Sequence, residues 1–373
     1  MKNILFFLSH QPNPRFIKQI NYLVDSNRVS VIYFSRETLP NLNSNIAPGV
    51  SCLPVGQIES SGRYLSRLIS YARAIWSLWR CRRRVHADVV IVNNIDVLLL
   101  EVMLRVLTLR SARVVLEVSD LLQYMFAGGM AAKLFRAVDQ IVVRLFVDRL
   151  IVTSRKYYDV YYSKFFRGPQ LGLENKPLRK NVPPRIEREK IGKKTIIGVV
   201  GLIYQAAPIQ ALFDAVKDDD SVEVQIYGRL YDAQNSRALI ERYCARHRNI
   251  VFKGEYDLFK DAARIYGGLD LLYVSYDTAE SMLNNRVALP NKLYEAMYFR
   301  VPIIASKGTY LGERVMAAGI GYEIDCGSVE QIRDIFKSHP GRAKAFEDAF
   351  QALPPEAYFA DDDYEVFARF VVG

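Results

Sequence analysis

Two charged side chains stand one helical turn apart in the segment LPNKLYEAMYF, residues 289–299. Pro290 suits the first turn of a helix, so Lys292 and Glu295, three residues apart, would share one face. A carboxylate near a helix N-terminus is stabilised by the helix dipole, and it can accept two hydrogen bonds from a vicinal diol such as a ribose. The lysine beside it can balance phosphate charge. The pair indicates a candidate nucleotide site; the alternative is an ion pair on a surface helix.

Three further segments end apolar runs with a glycine beside aromatic or charged residues. GVVGLIYQ carries Gly201, where the backbone must turn sharply or approach a ligand, ahead of a helix whose free N–H groups suit a diphosphate. VQIYGRLYD and VFKGEYD supply candidates for contact with a base or phosphate, which are Tyr227, Gly228, Arg229 and Tyr256. Neither a G-x-G-x-x-G fingerprint nor a P-loop occurs, and each segment alone also fits an ordinary loop.

The elements that must position these residues follow from an alternation of apolar, β-rich runs with helical patterns. The runs of the first half carry few charges, which is typical of parallel strands buried on both faces; they are NILFFL, RVSVIYF, ADVVIVNN, ARVVLEV and DRLIVTS. A segment rich in Pro, Gly and charge follows, and the alternation then restarts with KTIIGVVG. This predicts an α/β protein of two Rossmann-like, doubly wound domains facing a central cleft.

The same pattern sets the predicted domain boundaries. They are 1–170 for an N-terminal domain, 171–193 for a linker, 194–352 for a C-terminal domain and 353–373 for a tail helix that could pack back on the first domain. The chain of 373 residues is half hydrophobic and about a quarter charged, a globular composition that is long enough for two domains. No apolar run reaches the roughly 18 residues of a membrane-spanning helix.

Positive charge is concentrated in the first half of the chain. Residues 1–170 contain 23 Lys and Arg against 11 Asp and Glu, whereas the remainder contains 27 against 29. Such asymmetry points to an anionic partner, either a membrane surface, a nucleic acid or a phosphorylated substrate, and the alternative is a solvated basic surface. The four cysteines are widely spaced without a C-x-x-C pair, so neither a zinc site nor a disulfide framework is suggested. The histidines are also scattered, and no metal site is predicted.

Segment 62–84, GRYLSRLISYARAIWSLWRCRRR, predicts an amphipathic helix that carries both tryptophans of the chain. At helical spacing its apolar residues form one face and its arginines the opposite face. Such a helix could lie on an anionic membrane surface, or it could pack its apolar face into the core and leave a basic exterior.

The segment LPNKLYEAMYFRVPIIAS resembles the donor-binding segment of glycosyltransferases with the GT-B fold, particularly family 4 and its relatives. GVVGLI, IYGRL, VFKGEY and LDLLYVSY fall in the order that this family uses. The resemblance covers nearly the whole chain and is specific over about 195–325. It implies that Glu295 holds the donor ribose and that Gly201 lies near the diphosphate.

The chain departs from the family pattern at two places. Val287 stands where the usual E-x7-E pair would place its first glutamate, and the Arg and Lys often found after the first strand of the second domain are missing from GLIYQAAP. Lys292 or Arg286 would then supply the missing positive charge, and Asn291 belongs to the same donor-binding segment.

Catalytic candidates come from the first half of the chain. An inverting transfer needs a base to deprotonate the acceptor hydroxyl, whereas a retaining one needs stabilisation of the leaving diphosphate. Asp120 follows the strand VVLEV and is the first candidate for the base, with a helix N-cap as the alternative. His10, in the loop after the first strand, is the second.

The sequence therefore predicts a metal-independent glycosyltransferase, of the hexosyltransferase type, in bacterial polysaccharide biosynthesis. Its substrates would be a nucleotide-diphosphate sugar and a lipid-linked or oligosaccharide acceptor, with no further cofactor and no nucleic-acid partner. It would be cytoplasmic and peripherally associated with the inner face of the membrane. The candidates for the acceptor or membrane side are Arg15, Lys18, Arg63, Arg67, Arg73, Trp76 and Trp79. The alternatives are a sugar-nucleotide 2-epimerase of the same architecture and a non-enzymatic binder of membrane or nucleic acid.

Overall fold

The computed structural model describes residues 1–36, 40–58, 64–80, 86–108, 112–186, 194–231, 235–279 and 282–373; the side chains of 64–68, 77, 80 and 106–108 are not described. These residues form two compact units. Unit 1 is Met1–Glu174 together with Asp362–Gly373, and unit 2 is Asn175–Asp361. The chain therefore leaves unit 1, builds unit 2, and returns to unit 1 with its last helix.

Unit 1 is built on a parallel sheet with seven strands among the described residues. They are β1 Asn3–Leu8, β2 Arg28–Ser35, β3 Ser51–Gln57, β4 Val89–Val92, β5 Arg113–Val118, β6 Arg149–Val152 and β7 Gln170–Gly172. Their order in the sheet is β3-β2-β1-β4-β5-β6-β7, so the strand order reverses between β1 and β4. The central strands β1, β4 and β5 are apolar and almost wholly buried, because helices cover both faces of a parallel sheet.

The helices of unit 1 are α1 Pro14–Leu23, α2 Tyr64–Arg80, α3 Ile95–Thr108, α4 Met130–Phe146, α5 Arg155–Val160 and α14 Asp363–Val372. α3 packs against both α2 and α4, and α1 packs against α14. α1 has a well-formed start: the Asn13 side chain accepts the N–H groups of Arg15 and Phe16, and Pro14 occupies the first turn.

The C-terminal helix α14 is an integral part of unit 1. Tyr364, Phe367 and Val371 are buried. Arg113 donates to the carbonyl oxygens of Val371 and Val372, 3.4 Å away in each case, and Arg149 also donates to a carbonyl in the last turn. Cations at this position stabilise a helix through its dipole and satisfy carbonyls that have no partner within the helix.

Unit 2 repeats the architecture with six parallel strands among the described residues. They are β8 Thr195–Val200, β9 Val222–Tyr227, β10 Ile250–Gly254, β11 Leu271–Val274, β12 Ile303–Ser306 and β13 Gly321–Ile324. The order in the sheet is β10-β9-β8-β11-β12-β13, and it reverses between β8 and β11. The helices are α6 Ala206–Val216, α7 Ser236–Arg246, α8 Leu258–Gly267, α9 Leu283–Val287, α10 Lys292–Phe299, α11 Tyr310–Ala317, α12 Val329–Ser338 and α13 Ala343–Ala352.

The two parallel sheets with flanking helices confirm the predicted fold class of two Rossmann-like units. Two strands were missing from the sequence interpretation, β3 and β7, and both lie at sheet edges. β3 reads SCLPVGQ, a short segment interrupted by a proline, which an edge position tolerates and a central one does not. Of the helices in the described ranges, none combines the length and the apolar composition that crossing a membrane requires.

Candidate functional site

The sheet of unit 2 places a pocket at its topological switch point. The walls come from the carboxyl ends of β8 and β11, the start of α6 and the side chain of Lys292. Chains that diverge from two neighbouring parallel strands open a crevice there, and open α/β sheets bind ligands in that crevice. The candidate donor residues can therefore be judged by whether they reach this pocket.

Three glycines end the adjacent strands β8, β9 and β10 in the left-handed region, and two of them touch. Gly201 has φ of 108° and Gly228 has φ of 129°. A Cβ atom on Gly228 would lie 2.0 Å from the carbonyl oxygen of Gly201, so no side chain fits between the two strand ends. The N–H of Gly201 donates to the Tyr227 carbonyl at 2.8 Å. Close packing of the two backbone segments therefore requires glycine at position 228. Without side chains at 201 and 228, a ligand can approach the backbone at this edge of the sheet.

The Lys292 side chain crosses the face of Gly201. A Cβ on Gly201 would lie 2.7 Å from both Cε and Nζ of Lys292, so the ammonium group lies directly over the turn after β8. The side chain is half-buried. Burial lowers the pKa of Lys292, and the carboxylate of Glu295 opposes that shift. A desolvated cation over a glycine turn is suited to a phosphate, because the attraction is screened less than at an exposed position.

Glu295 lies in the first turn of α10 and is buried, with 9% of its surface exposed. The Tyr266 hydroxyl donates to its Oε2 atom. Tyr266 is itself buried and stacks on Phe299 with the ring centroids 5.1 Å apart, which fixes the phenol. Burial raises the pKa of Glu295, while Tyr266 and Lys292 both act to lower it. The carboxyl group is therefore held in one orientation beside a cation.

Tyr256 belongs to the same cluster. It is half-buried, and its pKa is raised by burial and by the charge of Glu295, which acts on it at short range. The pKa of Tyr266 is raised by burial, Glu295 and Tyr256 in turn. Of the donor candidates predicted from sequence, the structure thus brings Gly201, Lys292, Glu295 and Tyr256 into one region, with Gly228 directly behind Gly201.

The remaining donor candidates make other contacts. The Tyr227 side chain is buried and its hydroxyl donates to Gln225 at 2.8 Å. Arg229 forms an exposed ion pair with Glu255 at 3.2 Å. Arg286 is exposed in α9, and Asn291 is exposed and accepts a hydrogen bond from Asn175. The Asn291 carbonyl accepts the backbone N–H of Glu295 at 3.2 Å, but no described side-chain contact of these four residues reaches Glu295 or Lys292. Their proposed roles stay predictions.

Sequence reasoning missed three polar side chains around the site, of which Gln205 lines the pocket itself. The Gln205 side chain accepts the backbone N–H of Asp277 at 2.8 Å and thereby ties the end of β8 to the segment after β11. The buried Ser306 hydroxyl accepts the N–H of Tyr276 at 2.9 Å. Tyr266 holds Glu295. Ser306 ends an apolar strand and Gln205 comes shortly after one, and a polar residue at such a position can be recognised in the sequence as a site candidate. Tyr266 lies within a helix, where its position in the sequence indicates no role.

In unit 1 the switch point between β1 and β4 holds His10. Asn93, which follows β4, accepts the backbone N–H of Ser9 at 2.9 Å, so its amide nitrogen is the group that faces His10 Nε2 at 3.3 Å. His10 Nδ1 then carries the proton and donates to the Gln11 carbonyl at 2.7 Å. Burial lowers the pKa of His10, and the nearby arginines 36 and 15 lower it further. Burial thus favours the neutral imidazole, whose Nε2 accepts the hydrogen bond from Asn93.

Asp120 is exposed at the carboxyl end of β5, two strands away from β1 in the same sheet. It is not an N-cap of α4, since that helix begins at Met130. The two catalytic candidates therefore share the carboxyl edge of one sheet, while their catalytic roles stay predictions.

The acceptor-side and membrane-side candidates divide into buried and exposed residues. Arg15 is buried and forms an ion pair with Glu117 at 2.9 Å, so it is not placed to touch a membrane. Lys18 is half-buried, and burial lowers its pKa to about 8. On α2, Arg73, Trp76 and Trp79 are exposed. Arg63 lies outside the described residues, and so does the side chain of Arg67.

Within the described ranges, no group of three His, Cys, Asp or Glu side chains is placed to hold a metal ion.

No family model matches the sequence. A curated relative, the succinoglycan biosynthesis protein ExoL from Rhizobium meliloti strain 1021, is 26% identical over 340 residues, which cover 86% of this chain and 81% of the relative.

The fold is similar to that of solved proteins over nearly its whole length. The lipopolysaccharide outer core galactosyltransferase WaaB superposes with a TM-score of 0.67 at 12% identity, covering 99% of both chains. HepE from Anabaena, in complex with UDP-glucose, gives 0.71 at 13% identity and the same coverage. A putative UDP-N-acetylglucosamine 2-epimerase from Listeria monocytogenes gives 0.64 at 13% identity, covering 98% of this chain and 95% of that one. The predicted GT-B fold is confirmed, because two parallel sheets with flanking helices superpose on these proteins over nearly the whole chain.

Proposed function

We propose that this chain is a glycosyltransferase of polysaccharide biosynthesis, which transfers a hexose from a nucleotide-diphosphate sugar to a hydroxyl group of a glycan. The proposal is supported by the fold, by the similarity to ExoL, and by the solved complex of a protein of the same fold with UDP-glucose. It is supported further by the cluster around Glu295 at the edge of the unit 2 sheet.

The observation that carries the proposal is the buried carboxyl group of Glu295. A buried carboxylate costs free energy unless hydrogen bonds and opposite charge compensate it; here Tyr266 donates a hydrogen bond and the charge of Lys292 favours the ionised form. Glu295 accepts the two hydroxyl groups of the donor ribose, since a carboxylate has room for several donors. Tyr256, next to Glu295, bounds the same region with an aromatic ring.

The diphosphate occupies the crevice beside Gly201. Lys292 stabilises the charge that develops on the leaving nucleotide diphosphate, and the N-terminus of α6 adds unpaired N–H groups with a partial positive charge. This lysine supplies the charge that a metal ion would otherwise provide, so the proposed transfer is metal-independent and uses no cofactor besides the donor. Arg286, on the exposed side of α9, is a second cation for the same role.

The acceptor binds to unit 1 near the carboxyl edge of its sheet. Asp120 and His10 are the candidate bases for the acceptor hydroxyl. The Nε2 lone pair of His10 accepts a hydrogen bond from Asn93, so His10 would take up the proton by exchanging that contact for one with the hydroxyl. The surplus of basic residues in 1–170 and the exposed tryptophans of α2 favour a lipid-linked acceptor at the inner face of a bacterial membrane.

The test is a thermal-shift screen of nucleoside diphosphates and nucleotide sugars on the wild type and on Glu295→Gln. Glutamine keeps an acceptor for the Tyr266 hydroxyl and so preserves the fold, but it loses the charge. A ligand that binds only the folded protein at about 100 times its dissociation constant adds roughly 2.7 kcal/mol of stability. We expect a clear rise in melting temperature for the wild type with a nucleotide sugar and a much smaller rise for the variant.

The competing functions give different results in the same experiment. If no nucleotide or nucleotide sugar raises the melting temperature of the wild type, the transferase proposal is wrong. An epimerase would show the shift but would convert the donor sugar with no acceptor present, which can be followed by NMR. A binder without enzymatic activity would show no dependence on Glu295.

A further inference from the structure

Helix α4 exposes a continuous apolar stripe. Met130, Leu134, Ile141 and Leu145 follow one another at spacings of four, seven and four residues, so they align along one face of the helix. Their exposed fractions are 79%, 66%, 57% and 67%, so more than half of the surface of each residue is in contact with solvent. Single exposed leucines are ordinary, but a row of four over most of a 17-residue helix is an apolar surface that calls for a partner.

The opposite face of α4 already packs on unit 1. Ala132, Asp139, Val142 and Val143 are buried, and they recur on the side of the helix away from the stripe. Asp139 accepts a hydrogen bond from the Tyr161 hydroxyl at 2.9 Å. Helix α4 therefore has apolar residues on two opposite faces. The rest of unit 1 covers one of these faces, and the stripe on the other face is exposed.

The exposed charged residues of α4 are basic. Lys133 and Arg144 are exposed and lie on one flank of the stripe. The single acidic residue of the helix is Asp139, which is buried. An apolar stripe with cations beside it and no exposed carboxylate on the same helix matches a surface of anionic lipid.

The neighbouring helices extend this surface. α3 packs between α2 and α4, and it exposes about half of Met103. α2 exposes Trp76 by 58% and Trp79 by 40%, with Arg73 exposed beside them. Tryptophan at such a position is typical of the boundary between lipid headgroups and acyl chains. One layer of helices therefore presents apolar side chains, indole rings and cations together.

We propose that the layer formed by α2, α3 and α4 docks on an anionic lipid bilayer, with α4 lying parallel to the surface and its stripe inserted among the headgroups. This names the lipid-contacting surface for the membrane partner proposed above, and it rests on that part of the proposed function. A second copy of the chain fits the surface less well, since an antiparallel two-fold contact along α4 would bring Lys133 of one copy near Arg144 of the other.

The test compares matched variants in cosedimentation with vesicles. The full chain is mixed with vesicles of phosphatidylglycerol and phosphatidylethanolamine in equal parts, or of phosphatidylcholine alone. The double variant Leu134→Gln, Leu145→Gln removes the stripe with a good helix former. The control is Phe259→Gln, Met316→Gln, which alters two exposed apolar residues on helices of unit 2. Binding of the wild type and the control to the anionic vesicles is expected, with binding of the stripe variant roughly tenfold or more weaker.

The tryptophans give an independent readout, because Trp76 and Trp79 are the two tryptophans of the chain. Anionic vesicles should shift their emission to shorter wavelength, and brominated lipid should quench it.

The proposal is overturned if the wild type fails to bind anionic vesicles or if the stripe variant binds as tightly as the wild type. It is also overturned if light scattering shows a dimer that this variant converts to a monomer. The thermal shift by a nucleotide sugar is measured on the same samples and stays unchanged in the stripe variant, so failure here is distinct from failure of the donor site.

Discussion

The carboxyl group of Glu295 is oriented by a residue that has no charge. Tyr266 donates to one of its oxygens, and stacking on Phe299 keeps that donor in place. Because a carboxylate oxygen can accept more than one hydrogen bond, the contact orients the group and leaves it able to accept the hydroxyls of a ribose. In the proposed donor complex, Tyr266 is therefore a positioning residue.

Replacing Tyr266 with phenylalanine tests this role. A hydrogen bond to a charged group contributes about 1.5–3 kcal/mol, so Tyr266→Phe should weaken binding of a nucleotide sugar by roughly tenfold or more. The matched control is Tyr243→Phe, which also deletes a tyrosine hydrogen bond to a carboxylate, that of Asp214 at 2.8 Å. Isothermal titration calorimetry should show weaker binding for the first variant alone. Equal affinities for the two variants, or a loss that is the same for a donor lacking the ribose hydroxyls, would contradict the role.

The two charges of the site predict how donor binding depends on pH. Burial raises the pKa of Glu295, so on acidification the carboxylate is lost at a higher pH than for an ordinary glutamate. Burial lowers the pKa of Lys292, so on alkalinisation the ammonium is lost at a lower pH than for an ordinary lysine. Binding of a nucleotide sugar needs both charges and should therefore fall on both sides of an optimum.

Two variants assign the two sides of this profile. Lys292→Met should remove the alkaline fall and Glu295→Gln the acidic one, each with weaker binding at the optimum. The measurement is the dissociation constant of a nucleotide sugar across pH, since the diphosphate of such a donor keeps its charge throughout. An alkaline fall that persists unchanged in Lys292→Met would show that another group is responsible.

At the scale of elements, the periodicity of apolar residues identified the buried strands because burial on both faces removes charge from them. It could not identify β3 or β7, since edge strands face solvent and read as loops. The same limit applies to the amphipathic segment 62–84. Its tryptophans looked equally suited to the core, and only the packing of α2 on α3 leaves them exposed.

The contribution of α14 to unit 1 can be measured with one pair of substitutions. Phe367 is fully buried, and replacing it with alanine leaves a cavity, so Phe367→Ala should cost about 3–5 kcal/mol of stability. Val366, its neighbour in the same helix, is 45% exposed, and Val366→Ala should change stability by less than about 1 kcal/mol. Urea denaturation followed by circular dichroism gives both values. Similar costs for the two variants would mean that the helix does not pack as described.

At the scale of the molecule, the restart of the alternating pattern at KTIIGVVG was enough to predict two units of the same class. The segment around Glu295 was readable because a helix start, a carboxylate and a lysine occur close together in sequence. The partners of the Glu295 carboxylate could be predicted from the sequence only in part. Tyr266 comes from another helix, and its contact with Glu295 depends on how α8 and α10 pack.

The return of the chain to unit 1 has a consequence for biosynthesis. Unit 2 is formed by one uninterrupted stretch of the chain and can fold as soon as Asp361 has emerged from the ribosome. Unit 1 begins before unit 2 but is completed after it, because the aromatic and aliphatic side chains of α14 are translated only after unit 2. Until then α1 lacks the helix that packs against it. Loss of α14 alone would therefore damage the unit whose translation began before that of unit 2.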